Sequence, residues 1–495
     1  MKVLSIGARS LAGAAAVRTL HSLATSGSVV VASELAGVRE RLLAAAGAAE
    51  GGSGDYQDQI EAIRAQHLAI IRELFPATRQ SAVITPLQII LGDLEDILHG
   101  VQLLRECSPR TLDLIQSFGV RAGCLLLAQY LQSRGTQIRI AENPGIRLRG
   151  VGAASVKTMS VSTHAILRGE TVDYPTSLEG IRHTFEDLNR SPSASAADLA
   201  APPVTIVAGG IASTSTGVPV MLRRDGSDLT AALIAAALQA EIVELWTDRE
   251  GVTSADPELV ESAFVLEEIS YQEAMELSYF GAQMVHPTAL VPTMEAEIPI
   301  RVRNLANPKA SGTLICRRPR GSGPAGRRSP VTGIASIEPA ALVNIEGGGM
   351  VGVPGIAARV FGALARGSVN IIMISQASSE HSICVVFRQA EAAAALDALR
   401  RELEGEIQSK LIQKFDLKEN LAILAVIGEN MRGTPGISGR LFSSLGREGI
   451  NILAIAQGSS ETNISFVVDR KEERRAVRII HRAFLEQPVE SGEST

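Results

Sequence analysis

Two stretches in the middle of the chain carry residue types that bind a charged small molecule. The first, LRRDGSDLTAALIAAAL from Leu222, places Gly226, Ser227 and Asp228 at the start of an Ala-rich helix. Unpaired backbone N–H groups at a helix start bind anions, and an aspartate there can cap the helix or hold a charge. Arg224 stands beside them and can pair with a carboxylate through two parallel hydrogen bonds.

The second stretch, ELWTDREGVTSADP from Glu244, ends a predicted strand at Thr247 and Asp248 and continues to Asp256 and Pro257. Ligands of α/β sheets bind outside the carboxyl ends of strands. Each stretch alone is weak support, since Asp/Gly turns are common. Together the two stretches predict a cleft for a nucleotide and an anion.

The elements around these stretches alternate between short β-branched runs and Ala/Leu-rich helical periods, from residue 1 to about residue 315. This alternation predicts an α/β fold with a mainly parallel sheet. Strands are predicted at 29–32, 204–208, 242–246 and 298–302, helices within 86–131 and 270–294, and loops at 51–55 and 191–203. Residues 317–330 lack apolar periodicity and are predicted to be a linker.

An internal repeat follows that linker. MVGVPGI at Met350 recurs as MRGTPGI at Met431, 81 residues later, and the same offset relates Gln376 to Gln457. Each copy is predicted to contain a strand, a Gly/Pro loop, a helix, two strands and a helix. Helices are predicted at 356–365 and 437–445, and strands at 370–375, 382–387, 451–456 and 463–468. The pattern therefore predicts a duplicated βαββα unit.

The first copy contains a G-x-G-x-x-G pattern at Gly347, Gly349 and Gly352. A dinucleotide site is rejected, because Asn430 replaces the middle glycine in the second copy and no acidic residue follows for a ribose. The better interpretation is a loop whose backbone N–H groups hold a small carboxylate at a helix start. A purely structural turn is the alternative.

Composition narrows the classes of function. The chain has 495 residues, roughly three domains at about 150 residues each. Its net charge is −6 with 20% charged residues, which argues against a nucleic-acid or polybasic membrane partner. Charges interrupt the apolar runs before about 18 residues, so no transmembrane helix is predicted. A strand begins almost at Met1, which leaves no room for a signal peptide and predicts a cytoplasmic protein.

The sequence does not support several other kinds of metal or catalytic site. The four cysteines lack metal-site spacing and are expected to be reduced core residues; they are Cys107, Cys124, Cys316 and Cys384. The chain contains no P-loop, nucleophile elbow or H-E-x-x-H motif. His286, in FGAQMVHPTAL, is expected to be a capped, partly buried residue at a helix end rather than a catalytic one.

These two stretches resemble aspartokinases of the amino-acid kinase family, which end in two ACT domains. Further motifs carry the resemblance: SYFGAQMVHP, NLANPKASGT at 304–313, SFG at Ser117, the amino-terminal strand loop and the tandem repeat. The resemblance implies a mainly parallel sheet between helices, followed by tandem βαββαβ ferredoxin-like domains. It predicts a kinase domain at 1–316, ACT regions at 331–412 and 413–488, with their interleaving left open, and a tail at 489–495.

The resemblance also implies an activity: transfer of the γ-phosphoryl group of ATP, with Mg²⁺, to the side-chain carboxylate of L-aspartate. The product, 4-phospho-L-aspartate, leads to lysine, threonine and methionine. The implied catalytic residues are Asp228 and Arg224, which also bind substrate with Ser33. The residues implied to bind nucleotide or phosphate are Gly7, Ser10, Gly226, Ser227, Thr247, Asp248, Gly251, Asp256 and Pro257.

The sequence departs from the family pattern at three charged positions. The family lysine of K-F-G-G-T-S is Ser5, the glutamate of S-x-G-E is Val120, and the lysine of F-G-A-K is Gln283. Losing one preorganised donor typically costs about 10²- to 10³-fold in rate. Four arginines stand in motifs where the family has none, as either compensating cations or solvent-exposed drift: Arg9, Arg39, Arg223 and Arg249.

Three functions remain open at this point. The leading hypothesis is an L-aspartate kinase. A second is a catalytically impaired homologue that acts as a regulatory, amino-acid-binding subunit. A third is a kinase for a different small carboxylate, because Val120 would leave a substrate ammonium unpaired at a cost of about a few kcal/mol.

The tandem repeat implies allosteric control. In threonine-sensitive members of the family a glutamine in each ACT domain contacts the effector, and Gln376 and Gln457 match those positions. Threonine is therefore the first expected effector and lysine the second. The implied allosteric set also includes Gly352, Pro354, Gly355, Ile356 and Asn370. Exposed sheet edges predict a homo-oligomer assembled through these domains.

Overall fold

The computed structural model describes residues 1–140, 166–168, 171–190, 202–214, 219–222, 226–281, 285–317, 319, 329–350, 353–376 and 381–486. The chain packs into two units. The first comprises Met1–Val252, Glu267–Tyr271 and Met284–Pro319, and the second comprises Thr253–Leu266, Gln272–Gln283 and Arg320–Thr495. Two segments that precede residue 284 therefore pack with the carboxy-terminal repeat.

Twelve of the described strands precede the repeat. They are β1 (Lys2–Ile6), β2 (Val29–Ala32), β3 (Ile138–Ile140), β4 (Ile166–Arg168), β5 (Thr171–Asp173), β6 (Val204–Ala208), β7 (Ile211–Thr214), β8 (Pro219–Met221), β9 (Ile242–Thr247), β10 (Glu268–Ser270), β11 (Ile300–Asn304) and β12 (Thr313–Cys316). The strands predicted at 29–32 and 204–208 have the expected bounds.

Nine described helices lie in the same part of the chain. They are α1 (Ala14–Leu23), α2 (Val38–Glu50), α3 (Tyr56–Leu74), α4 (Ala77–Leu104), α5 (Pro109–Ser133), α6 (Tyr174–Arg190), α7 (Gly226–Leu238), α8 (Tyr271–Tyr279) and α9 (Pro287–Glu295). The helical region predicted from residue 86 is two helices, and Pro86 lies inside α4 rather than at its start. Buried Val83 and Leu87 pack on both sides of that proline, so tertiary contacts hold the turn that it weakens.

The first unit is built on an eight-stranded sheet of order β10-β12-β11-β9-β1-β2-β6-β3. Neighbouring strands run parallel except for the antiparallel pair β11 and β12. Strands β2 and β6 are buried at every residue, the pattern of a parallel sheet covered on both faces. A smaller sheet has the order β5-β4-β7-β8. The α/β fold with a mainly parallel sheet is therefore confirmed.

Helix α5 is the one helix of the described chain that is long and apolar enough to cross a membrane. Ser108 caps its start by accepting a hydrogen bond from the Thr111 N–H. By length and composition α5 could cross a membrane, which the sequence analysis did not expect, but 72% of its apolar window is buried inside the fold. That burial is typical of a core helix.

Between residues 333 and 481, all in the second unit, the described chain contains six strands and five α-helices. They are β13 (Gly333–Glu346), α10 (Ile356–Arg366), β14 (Ile371–Gln376), β15 (Ser382–Arg388), α11 (Ala392–Glu402), α12 (Glu404–Gln408), β16 (Lys414–Ile427), α13 (Ile437–Arg447), β17 (Ala454–Gln457), β18 (Asn463–Asp469) and α14 (Glu473–His481). The duplicated βαββα order is confirmed, although the strand predicted at 451–456 begins only at Ala454.

The two copies share their long strands in one antiparallel sheet of order β14-β15-β13-β16-β18-β17. Both halves of β13 pair with β16, 333–337 with 423–427 and 340–346 with 414–421, and the second half also pairs with β15. A register irregularity at Ile337–Ala340 separates the halves, where Pro339 lacks the N–H that a ladder needs. Each copy therefore contains half of a strand that continues into the other copy.

Candidate active site

Four neighbouring parallel strands end at one edge of the large sheet. Ile6 lies opposite both Ala32 and Trp246, and Ala32 lies opposite Ala208. Backbone hydrogen bonds continue this register past the strand ends: the Gly7 N–H donates to the Trp246 carbonyl, and the Ser33 N–H donates to the Ile6 carbonyl. The structure thus brings Gly7, Ser33 and Thr247 to one edge, the position where open α/β sheets bind ligands.

Asp228 reaches this edge from the first turn of α7. The Ser5 hydroxyl donates a hydrogen bond of 2.7 Å to Asp228 Oδ1. Ser5 is fully buried in β1, so the hydroxyl is held by the strand itself. The residue that replaces the family lysine therefore contacts the carboxylate that the sequence predicts to be catalytic, as a neutral donor.

Backbone packing fixes the start of α7, because glycines remove the side chains that would block it. A Cβ on Gly209 would lie 2.7 Å from the Ser227 Cβ, and a Cβ on Gly226 would lie 2.8 Å from the Gly210 Cα. Gly210 has a φ of +79°, which L side chains rarely adopt. The Gly210 N–H donates to the Thr230 hydroxyl at 3.0 Å, which in turn donates to the Gly226 carbonyl. The sequence analysis missed this Gly209-Gly210 turn.

The loop after β9 is held by side chains of the NLANPKASGT segment. Glu250 accepts hydrogen bonds from Asn304 Nδ2 at 3.0 Å and from Asn307 Nδ2 at 3.2 Å. The Thr247 hydroxyl accepts from the Arg249 N–H at 3.1 Å, and Asp248 is exposed in the same turn. These contacts hold the predicted nucleotide-binding turn in shape.

The remaining predicted nucleotide residues have different surroundings. Ser10 is buried, and its hydroxyl donates to the Trp246 carbonyl at 3.1 Å. Gly251 is buried next to Val252. Asp256 and Pro257 pack in the second unit, where Asp256 Oδ1 accepts from the Glu258 N–H.

Three of the predicted compensating cations are described. Arg9 and Arg249 are exposed, and Arg39 is half-buried. Among the described residues, no carboxylate lies within 4.0 Å of these three guanidinium groups. The other predicted site residues Arg223, Arg224 and Gly352 lie outside the described residues, as does Gln283.

His286 is a helix cap, as expected. Its Nδ1 accepts a hydrogen bond from the Thr288 N–H at the start of α9, and its side chain is half-buried. All four cysteines are free, and Cys124 is fully buried while the other three are half-buried. The Cys124 thiol donates weakly to the Ala32 and Val207 carbonyls, near the carboxyl ends of β2 and β6.

The second unit contains a cavity of about 350 Å³. Gln376 lines it, whereas Gln457 is exposed on β17 and does not. The other lining residues are Leu342, Asn344, Glu346, Ser375, Ser382, Cys384, Asp416, Lys418, Leu453 and Ala454. Burial raises the pKa of Cys384 to about 11, against the opposing charge of Lys418.

The rest of the predicted allosteric set lies around the start of α10. Gly355 has a φ of +93° and precedes the helix, which begins at buried Ile356 as predicted. Pro354 and Asn370 are exposed. The allosteric role of these residues stays a prediction.

Comparison with known proteins identifies the family to which this fold belongs. Residues 1–304 match the model of the amino acid kinase family, and residues 343–403 and 424–484 match the ACT domain. The chain therefore belongs to the amino acid kinase family and carries two ACT domains. It is 30% identical to the chloroplastic aspartokinase 1 of Arabidopsis thaliana, over 85% of this chain and 69% of that protein. Within the family, the chain accordingly belongs to the aspartokinases.

A longer relative and a solved enzyme that resemble this chain are also aspartokinases. The chain is 33% identical to the bifunctional aspartokinase/homoserine dehydrogenase 2 of Arabidopsis thaliana, over 92% of this chain and 47% of that protein. It thus spans about half the length of such relatives. Aspartokinase III of E. coli, solved with aspartate and ADP, matches with a TM-score of 0.75 and 26% identity over 98% of this chain and 99% of that one. The same enzyme solved with lysine and aspartate matches with a TM-score of 0.70 and 25% identity, over 98% and 99%.

Proposed function

We propose that the chain transfers the γ-phosphoryl group of ATP to the side-chain carboxylate of L-aspartate and forms 4-phospho-L-aspartate. The observation that carries this proposal is the Asp228 carboxylate, held by Ser5 at the edge where four parallel strands end. The solved E. coli relative with aspartate and ADP supports the choice of acceptor and nucleotide.

The chain's part in this reaction is positioning and electrostatic stabilisation, since phosphoryl transfer needs little covalent chemistry from the protein. The N–H groups of Gly226 and Ser227 open α7, where the helix dipole favours phosphate. Asp228 orients the acceptor, and the Ser5 hydrogen bond fixes the direction of its carboxylate. Thr247 and Gly251, in the braced turn after β9, bind the nucleotide.

Magnesium is proposed to bind with the nucleotide. Among the described residues, no group of three or more His, Cys, Asp or Glu could hold a metal ion. Mg²⁺ does not need such a group, because it usually keeps several waters and binds through one or two carboxylates plus substrate phosphates. Asp228 and Asp248 would provide those carboxylates. The ion would neutralise charge on the transferred phosphoryl group.

An amino-acid effector is proposed to bind in the cavity of the second unit. Lys418 can pair with the α-carboxylate of an amino acid, and Asp416 and Glu346 can pair with its ammonium. The Gln376 amide can bond a side-chain hydroxyl, which favours threonine over lysine. The relative solved with lysine supports regulation by an amino acid.

Assembly with a second copy is proposed through the edges of the six-stranded sheet. Strands β14 and β17 end that sheet and contact each other, since the Ser375 hydroxyl donates to the Ile455 carbonyl at 3.0 Å. Each strand still exposes a large apolar side chain, Ile374 at 44% and Ile455 at 43%. Edge strands with exposed apolar residues are typical of surfaces that pair with another chain. A homo-oligomer would cover both residues.

Trapping the product with hydroxylamine tests the proposed reaction. Purified protein with Mg-ATP and L-aspartate is expected to yield aspartyl hydroxamate. Asp228→Asn is expected to reduce that yield by at least about 10²-fold. Product from succinate but not from L-aspartate would support a different acceptor. Amino-acid binding without any product would support the regulatory subunit instead.

A further inference from the structure

The position at which the family carries its substrate-binding glutamate cannot meet a charged ligand in this chain. Val120 is 1% exposed and belongs to the apolar core that α5 forms with α2 and the sheet. A buried valine leaves an incoming ammonium without a partner, which is costly in a site that excludes water. Any carboxylate that binds the ammonium must therefore come from another element.

Glu34 is a carboxylate on the neighbouring element. It follows Ser33 directly, beyond the end of β2 and at the same sheet edge as Gly7. A Cβ on Gly119 would lie 3.3 Å from the Glu34 Cβ, so the Glu34 side chain starts against α5 at the residue before Val120. The Glu34 side chain therefore lies next to position 120, where the family has its glutamate, on the facing element.

The backbone holds Glu34 closely against α5. A Cβ on Gly123 would lie 2.5 Å from the Ser33 carbonyl oxygen and 3.5 Å from the Glu34 Cα. Glycine at 119 and 123, one helical turn apart, lets the strand end approach the helix. Glu34 therefore has little freedom to move away from this face.

The electrostatic surroundings of Glu34 suit a cationic ligand. Its side chain is half-buried, and no side-chain donor among the described residues lies within hydrogen-bond distance of its carboxylate. Burial raises the pKa of Glu34, a hydrogen bond from its own backbone N–H and the charge of Arg39 oppose that rise, and Glu40 adds to it. Burial also raises the pKa of Cys124 to about 12, and the Glu34 charge adds to that shift. A desolvated carboxylate gains from an opposite charge placed beside it.

We propose that Glu34 binds the α-ammonium group of the acceptor amino acid, in the role that Val120 cannot perform. This inference rests on the proposed aspartate kinase function and deepens it. Ser33 and Asp228 would then contact other parts of the acceptor, and Glu34 would set the preference for an amino acid over a plain dicarboxylate.

Calorimetric titration with L-aspartate and with succinate tests this proposal without requiring turnover. Succinate keeps both carboxylates and lacks the ammonium. Glu34→Gln is expected to weaken L-aspartate binding by about tenfold to a hundredfold, the cost of a hydrogen bond to a charged group, and to leave succinate binding unchanged. Glu34→Asp keeps the charge and is expected to restore part of the affinity.

Glu40→Gln is the matched control, because Glu40 is exposed in the first turn of α2 and loses the same charge. It is expected to bind both ligands as the parent does. Unchanged L-aspartate binding in Glu34→Gln, or equal parent affinities for the two ligands, would overturn the proposal. If the parent forms aspartyl hydroxamate and Glu34→Gln binds L-aspartate as the parent does, the role of Glu34 is refuted and the kinase reaction is not. If L-aspartate binding depends on Glu34 but the parent forms no aspartyl hydroxamate, the kinase reaction is refuted and the role of Glu34 is not.

Discussion

The Ser5 hydroxyl and the Asp228 carboxylate lie 2.7 Å apart, across 223 residues of sequence. Ser5 is held in the middle of the sheet by β1, and Asp228 is held in the first turn of α7. A hydrogen bond to a carboxylate fixes its direction without adding positive charge. The site therefore keeps an oriented carboxylate, Asp228. The residue at the family's lysine position, Ser5, contacts it as a neutral donor.

Removing the Ser5 hydroxyl should release Asp228. Ser5→Ala is expected to lower kcat/KM for L-aspartate by about tenfold to a hundredfold, because a hydrogen bond to a charged group is lost. Ser5→Thr keeps the hydroxyl on a residue that favours strands and should retain most of the activity. Steady-state kinetics of the two variants provide the comparison. Equal activity in Ser5→Ala and the parent would show that the hydrogen bond does not position Asp228.

The close approach of the Gly209-Gly210 turn to α7 should be intolerant of a side chain. Gly209→Ala places a Cβ 2.7 Å from the Ser227 Cβ, so the start of α7 must shift. We expect a loss of stability of about 1–3 kcal/mol and a larger loss of nucleotide binding. Gly100→Ala in α4 is the control, because a Cβ there would meet no atom within 4 Å and the residue is not among those predicted to bind nucleotide. Equal nucleotide affinity in the two variants, measured by calorimetry, would refute this role of the turn.

The two glutamines of the repeat should differ in their effect on effector binding. Gln376 lines the cavity of the second unit and Gln457 does not. Gln376→Ala is expected to weaken threonine binding by about tenfold, and Gln457→Ala is expected to change it less. Titration calorimetry with threonine and with lysine measures both effects. Equal losses in the two variants would place the effector outside this cavity.

Buried Glu473 of the second unit, which is hydrogen-bonded to the exposed Glu338, should make stability depend on pH. Burial raises the pKa of Glu473 to about 7, and its hydrogen bond with Glu338 acts in the same direction while the Ser336 hydroxyl opposes it. The native state therefore binds a proton that the unfolded state releases near pH 4.5. This contribution to stability is fully present below about pH 4.5 and is lost as the pH rises through about 7.

Glu473→Gln, which stays neutral at every pH, should remove that dependence. We expect it to raise the free energy of unfolding by about 2 kcal/mol at pH 8 and to change it little at pH 4.5. Scanning calorimetry at the two pH values measures the difference. Glu419→Gln, at an exposed position of β16, is the control. An equal shift in Tm at both pH values would contradict this role of buried Glu473.

Much of the fold followed from local patterns. The buried run 204–208 and the repeat at an offset of 81 residues predicted strands and helices that the structure contains, because periodicity and turn residues are local properties. The division of β13 between the two copies could not be predicted in this way. It depends on pairing with β16 some 80 residues later, and pairing partners leave no mark in a single strand.

The residues of the candidate site also fall into two groups: those that local patterns predict and those that only tertiary packing reveals. Asp228 and Thr247 were predicted because a helix start and a strand end are local features. Glu34 was missed, since its position matters only through the packing of Gly119 and Gly123 on α5. The Gly209-Gly210 turn was missed for the same reason: two adjacent glycines predict a turn but not the helix that packs on it.

The central claim is that Asp228, held by Ser5, supports phosphoryl transfer to L-aspartate. The most direct measurement is the initial rate of aspartyl hydroxamate formation with Mg-ATP, in the parent and in Asp228→Asn. The account predicts a rate that depends on L-aspartate in the parent and falls by about 10²-fold or more in the variant. Hydroxamate formed equally by both proteins, or by neither, would contradict it.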